Sequence, residues 1–321
     1  MKRRNDDAPA DEPQSADAQV MARVCWAYFR EGQTQEAIAL RMGWTRKRVN
    51  RLLNDARTSG FVQVTINSPA GACVELENRL VAAHGLRRAI VVPTPDDDRD
   101  IRPVIGAAAG QYISAQLKEG ASLGITWGGT INAAAQNVLR RQGMRNTVVL
   151  MCGGLAKSTR INPYDNAAIF ARMLDATCYY LTAPMHAETA ELRDAFVNCE
   201  PVRSVLDMAR RVDMALLSAT DLSEQSKMLE YGVISRQTWQ SLRDAGATGD
   251  VCGHYLGIDG DLIDHPIARR TINPTLDDLK AIPERILAAG GLQKVSIIRS
   301  AIRAGLAHVL ITDEVTGGAL A

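Results

Sequence analysis

Three pairs of adjacent glycines, Gly128-Gly129, Gly153-Gly154 and Gly290-Gly291, each follow a short apolar run. Backbone without a Cβ lets a ligand oxygen reach main-chain N–H groups, and a helix opening just beyond adds partial positive charge. This placement suits an anion or a hydroxyl group. Thr130, after the first pair, offers a hydroxyl, and Lys294, after the third, is a cation in a first helical turn, where the helix dipole disfavours it unless an anion is near. The spacing is neither G-x-G-x-x-G nor a P-loop, and left-handed turns account for each pair taken singly. Asp250, in the glycine-rich stretch 245–254, is suited to accept hydrogen bonds from a polyol or from its own turn. Asp313 ends another apolar run, where it either reaches the same ligand or caps the helix that follows. Lys157, shortly after Gly154, could form a Schiff base with an aldehyde sugar, although an exposed loop lysine is the plainer reading.

General acid–base chemistry needs a positioned pair, and the 5 histidines, His84, His186, His254, His265 and His308, are dispersed with no carboxylate cluster beside the glycine loops. No catalytic residue is assigned. His265 belongs to a charged stretch with Asp264, Arg269 and Arg270 that reads as solvated surface. The 6 cysteines form no C-x-x-C pair and no His–Cys set at zinc spacing, so neither a metal nor a cofactor is expected. A reduced, cytoplasmic protein is the simplest account.

A second chemistry lies nearer the N-terminus. Thr34 is placed to cap a short helix containing Ala37, Ile38 and Met42, and Gly43 permits the left-handed turn that stops it. Thr45 then caps a helix in which Val49, Leu52 and Leu53 share one side, leaving Arg46, Lys47, Asn50 and Arg51 facing out. Three cations in a row, Arg46, Lys47 and Arg48, occupy its first turn, each disfavoured there by roughly 0.3–1 kcal/mol. A recognition helix presents such residues to a major groove, where they meet a polyanion. Thr34, Thr45, Arg46, Lys47, Asn50 and Arg51 are therefore the candidate contacts to double-stranded operator DNA.

The elements that must hold these residues follow from the pattern. At 321 residues and net charge +1, the chain has room for two domains, and any nucleic-acid contact must come from a local patch. Residues 1–15 lack a signal-peptide core and read as a disordered tail, and no apolar run approaches the ~18 residues of a membrane span. Residues 16–67 predict a three-helix, winged helix-turn-helix domain whose strand lies at 61–66, and 68–74 reads as a linker. From 75 to 321, apolar strands at 89–92, 122–126, 147–151, 176–181, 214–218, 285–288 and 309–312 alternate with helical stretches. That alternation predicts an α/β fold, a doubly wound, mostly parallel Rossmann-like sheet, serving effector binding and oligomerisation.

Several blocks in order carry a resemblance that spans nearly the whole chain after the tail. They are T-Q-E-A-I-A-L-R-M-G-W-T-R-K-R-V-N-R-L-L-N-D-A-R-T-S-G-F-V (34–62), L-G-I-T-W-G-G-T (123–130), G-A-T-G-D-V-C-G-H-Y-L (246–256), A-A-G-G-L-Q-K-V-S-I-I (288–298) and V-L-I-T-D-E (309–314). The chain resembles the SorC family of sugar-responsive bacterial transcriptional regulators. The resemblance implies an effector domain similar to glucosamine-6-phosphate isomerase and deaminase folds, controlling an operon for carbohydrate use. It implies that Gly128, Gly129 and Thr130 line an anion or hydroxyl site, that Lys294 faces a phosphate and that Asp250 bonds sugar hydroxyls. Gly154 and Asp313 join that set as the remaining candidates at strand ends. Trp127 is bulky for a phosphate loop, which leaves a free polyol open beside a sugar or sugar phosphate. A homotetramer or homodimer is implied, and the alternative is a sugar-phosphate isomerase or deaminase.

Overall fold

The computed structural model describes residues 14–62, 70–95, 100–155 and 162–321. The chain divides into two compact units, residues 1–64 and 65–321. In the first, α1 (Gln14–Phe29), α2 (Gln35–Met42) and α3 (Arg46–Thr58) enclose Val24, Ala27, Ile38, Val49, Leu53 and Ala56. Local chemistry fixes the turn between α2 and α3. Thr34 accepts the Ala37 N–H at 3.1 Å, Gly43 ends α2 at φ 65°, and Thr45 accepts the Arg48 N–H at 3.3 Å. The strand expected at 61–66 is not present at Phe61 and Val62, which form a bend, and residues 63–66 lie outside the described residues.

The second unit opens with α4 (Ala70–His84), so residues 70–74, expected as linker, belong to a helix. Ala70, Ala72, Cys73 and Val74 continue its apolar character without a stop, and the expected turn at 67–71 lies mostly outside the described residues. There follow β1 (Arg88–Val92), α5 (Arg102–Gln116), β2 (Ser122–Ile125), α6 (Gly129–Asn137), β3 (Thr147–Leu150), α7 (Pro163–Leu174) and β4 (Thr177–Tyr179). Next come α8 (Ala190–Asn198), α9 (Glu200–Ala209), β5 (Met214–Leu217), β6 (Ala219–Asp221), α10 (Lys227–Glu230), α11 (Arg236–Asp244), β7 (Gly249–Val251) and β8 (His254–Leu256). The chain closes with α12 (Leu276–Ala281), β9 (Glu284–Ala288), α13 (Val295–Arg303), β10 (Val309–Asp313) and α14 (Glu314–Leu320).

Seven strands pair in parallel in the order β1-β10-β9-β5-β2-β3-β4. All residues of β5 and β10 are buried, so successive side chains on opposite faces are both covered, as in a doubly wound sheet. From β2 the chain proceeds outward through β3 and β4, and from β5 it proceeds the other way through β9 and β10. The neighbours β2 and β5 therefore mark the topological switch point, outside whose carboxyl ends such sheets bind ligands.

One feature escapes the sequence pattern. A three-stranded antiparallel sheet, β6-β7-β8, continues from β5 after the single residue Ser218. Its strands are three residues each, too short for a period-2 signal, and its hairpin turns at Cys252-Gly253, both with positive φ (54° and 82°). The glycine-rich stretch 245–254 is thus a hairpin that packs against α13.

Helix α6 is set in place by glycines of α5. A Cβ on Gly110 would stand 2.6 Å from the Ala134 carbonyl oxygen, and one on Gly106 2.8 Å from the Ala133 carbonyl carbon. Gly110→Val should therefore force α6 outward and destabilise the unit by about 1–3 kcal/mol, a drop of several degrees in melting temperature by calorimetry. An unshifted transition would refute this packing.

Candidate functional site

At the switch point the segment Thr126-Trp127-Gly128 runs from β2 into α6. Ser218, the residue after β5, donates its hydroxyl to the Trp127 carbonyl at 2.6 Å, and Thr126 donates to the Leu216 carbonyl at 3.3 Å. The two central strands are thereby tied at their carboxyl ends. Gly128 adopts φ 123°, ψ 164°, a region restricted to glycine, and a Cβ there would approach the Ser218 hydroxyl to 3.1 Å. Its carbonyl accepts from the Asn132 N–H and from the buried Asn166 amide, which also bonds Asn132. No side chain caps α6, so the N–H groups of Gly129 and Thr130 open the helix without one.

Cations gather at this uncapped end. The Arg102 guanidinium lies over Gly129, whose Cβ would meet Nη1 at 2.7 Å. Asp100 grips Arg102 through Nε at 2.6 and 2.8 Å and through Nη2 at 2.6 Å. The bidentate pair holds the Asp100 carboxyl low although burial opposes this, with Lys227 adding to the effect, and it raises Arg102. Lys294 ends a short 3-10 turn, Leu292–Lys294, and caps α13 rather than lying in its first turn. Burial lowers its pKa; the charges of Arg102 and Lys227 push the same way, while Asp221 and Asp100 oppose them. Arg102, Lys294 and Lys227 thus share one electrostatic neighbourhood, in which Arg102 is paired with Asp100 and Lys227 with Glu230.

The remaining sequence candidates are placed differently. Gly154 is buried under the Tyr164 ring, with its N–H on the Ala183 carbonyl at 2.8 Å, so its missing side chain makes room for Tyr164 and leaves no open backbone for a ligand. Asp313 is the N-cap of α14: Oδ2 accepts from Thr316 N–H at 3.1 Å and Thr94 Oγ1 at 2.9 Å, and Oδ1 from Gly291 N–H at 3.3 Å. It thus caps α14, the second of the two roles its position allowed, and with Thr316, whose Oγ1 accepts the Gly291 N–H at 2.6 Å, it holds the Gly290-Gly291 loop. Lys157 lies outside the described residues. Trp127 is 2% exposed and turned inward, its indole N–H donating to Asp250, so its bulk does not obstruct the α6 terminus.

Asp250 lies on β7, 1% exposed, held by Trp127 and by the Gly253 N–H. Burial outweighs both bonds and raises its carboxyl to about 7. Arg102, Lys227 and Ser218 escaped sequence reading. Arg102 carried a usable signal, since it is a cation opening a helix, the same violation that marks Arg46, Lys47 and Arg48.

The nearest approach to a nucleophile–base pair is Ser241 and His265, 2.9 Å apart at Nε2. The Ile267 N–H donates to His265 Nδ1, so Nε2 carries the proton and donates to Ser241, whose own hydroxyl donates to the Thr238 carbonyl. That wiring is the reverse of what a general base needs. Cys152 and Cys252 are buried with thiols pushed well up, and among the described residues no group of three metal-ligating side chains converges.

On the first unit Thr34, Thr45, Arg46, Lys47, Asn50 and Arg51 are all exposed. Arg46 pairs with Glu36 at 3.2 Å and Arg48 stacks on Trp44 at 4.2 Å, while Lys47, Asn50 and Arg51 have no side-chain partner among the described residues.

A carboxyl raised by burial stabilises the fold fully below its unfolded pKa of 3.8, and this contribution is lost as pH climbs through about 7. Asp250→Asn should therefore gain stability over the parent between those limits, on the order of 1.4 kcal/mol per pH unit, and level off above. Chemical unfolding of both proteins from pH 4 to 8 measures the difference. A flat difference would show an ordinary carboxylate.

Residues 68–320 match the family model "Putative sugar-binding domain". The chain is 30% identical to the erythritol catabolism regulatory protein EryD of Brucella abortus, over 95% of this chain and 97% of that protein. It is 29% identical to the deoxyribonucleoside regulator of Bacillus subtilis, over 91% and 94% respectively. In fold it is similar to the full-length sorbitol operon regulator SorC of Klebsiella pneumoniae, with TM-score 0.72, 22% identity and coverage of 95% of this chain and 99% of that one. With a sheet whose switch point carries an anion-ready helix end and an exposed basic helix in a separate unit, the chain belongs to the SorC family of sugar-binding transcriptional regulators.

Proposed function

We propose that the regulator binds operator DNA through the N-terminal half of α3 and is controlled by a small polyhydroxylated effector bearing an anionic group. The observation that carries the effector reading is the Arg102 guanidinium over the uncapped start of α6, with Lys294 and Lys227 coupled to it electrostatically. Gly128, Gly129 and Thr130 supply backbone and hydroxyl donors, and the cations supply charge. The erythritol and deoxyribonucleoside in the relatives' names support an effector of sugar or polyol type, here as its phosphate. Asp250 accepts from its hydroxyls.

Lys47, Asn50 and Arg51, unengaged within the protein, are the direct DNA contacts, with Thr34, Thr45 and Arg46 at the two helix starts placing the unit on phosphates. The protein acts as a dimer or tetramer, since paired recognition helices match paired operator half-sites. It is a cytoplasmic regulator and not an isomerase or deaminase, a reading supported by the regulators among its relatives. No helix among the described residues is long and apolar enough to cross a membrane.

Lys47→Ala together with Arg51→Ala should weaken operator binding in gel shifts at least tenfold, about 1.4 kcal/mol, while leaving effector binding intact. Unchanged shifts would exclude α3 as the reader. Lys294→Ala should weaken erythrose 4-phosphate, titrated calorimetrically, by about ten- to a hundredfold, the worth of a charge-assisted hydrogen bond, and should leave free erythritol unaffected. Equal losses for both ligands would remove Lys294 from the anion site.

A further inference from the structure

Beneath the β6-β7-β8 sheet lies a concentration of unsatisfied polar atoms. Asp250 Oδ1, Tyr255 Oη, His186 Nε2 and Arg270 Nε are each enclosed and have no hydrogen-bond partner among the described residues. They are neighbours. Asp250 and Tyr255 are register partners on β7 and β8, so their side chains leave one face of the hairpin, and Thr220 of β6, opposite Asp250, extends the row. The His186 ring lies over Tyr255, centroids 6.4 Å apart and 28° from parallel. Arg270 places its charge near both rings.

The hydrogen-bonding character of each atom can be derived. Thr271 donates its hydroxyl to the Ile267 carbonyl at 2.9 Å, so toward His186 Nδ1, 3.0 Å away, it accepts. The ring therefore carries its proton on Nδ1 and turns a lone pair outward at Nε2; burial keeps it neutral. Asp250 receives Trp127 and Gly253 with Oδ1 left over, an acceptor when the carboxyl is ionised and able to donate when it holds its proton. Tyr255 Oη both donates and accepts. An imidazole lone pair, a carboxyl oxygen, a phenol and a guanidinium N–H around one point match hydroxyl groups, each of which both donates and accepts. Leaving such groups enclosed and unpaired is costly, so a guest that pairs them is bound at a gain.

We propose that Asp250, Tyr255 and His186 read the hydroxyl groups of the effector. This rests on the effector reading above and extends it to two residues, Tyr255 and His186.

Tyr255→Phe removes only the phenolic oxygen and tests the assignment in the full chain. Calorimetric titration with erythritol, ribitol, erythrose 4-phosphate, ribose 5-phosphate and inorganic phosphate should show at least tenfold weaker binding of the hydroxyl-bearing probes that the parent takes up. Inorganic phosphate should bind both proteins equally, and the ligand-free melting temperature should be equal to or above the parent's, because an unpaired buried hydroxyl is gone. Unchanged affinity for a hydroxyl-bearing probe that the parent binds would overturn the hydroxyl assignment alone. A lowered ligand-free melting temperature would likewise overturn it, by showing that the phenol serves the fold. Failure of the parent to bind any of these hydroxyl-bearing probes would overturn the effector reading itself and this proposal with it.

Discussion

Two neighbouring parallel strands, β2 and β5, send the chain away in opposite directions, and the crevice this leaves cannot be covered by either connection. Everything at the candidate site follows from how that gap is edged. Ser218 and Thr126 lace the strand ends together, Gly128 takes a backbone shape that no other residue adopts at ease, and α6 therefore begins without a capping side chain. The other glycine pairs serve the same end by different means. Gly290 passes against the Asp313 carboxylate, which holds the Gly291 N–H, while Gly154 yields space to Tyr164.

The Thr126-Trp127-Gly128 segment has Arg102 over the glycine that follows it and Asp250 behind its Trp127 indole. The tryptophan that reads from sequence as an obstacle to an anion fills the core with its ring and spends its one donor on a carboxylate that burial would otherwise leave worse off. The Asp100–Arg102 pair shows the same economy: a carboxylate keeps the guanidinium in place over Gly129.

Much of this was legible in the residues. The caps at Thr34, Gly43 and Thr45 fall where the pattern puts them, because short-range hydrogen bonds decide helix ends and depend on nothing distant. The central parallel strands, such as β5 and β10, showed as apolar runs because both their faces are buried. The β6-β7-β8 sheet did not, since three-residue strands carry no periodicity and Cys252 reaches positive φ without being a glycine. Among site residues, Gly128, Gly129 and Lys294 were accessible through their local peculiarity. Tyr255 acquires meaning only from a partner 5 residues away that the fold brings opposite it, Asp250, whereas Arg102 is marked by its charge at a helix start and gains Gly129, 27 residues away, from the fold.

The first turn of α3 looks from its sequence like three free positive charges, and the structure reduces that number. Arg46 already faces Glu36, and Arg48 already covers Trp44. Double-stranded DNA rewards a protein charge by releasing a condensed counterion, and the release counts only charge newly placed on a phosphate. Arg46 would exchange one anion for another, and so contributes less to the salt dependence of binding than Lys47 or Arg51. In the proposed complex it would supply a fixed direction instead, as a guanidinium anchored on α2 beside the start of α3.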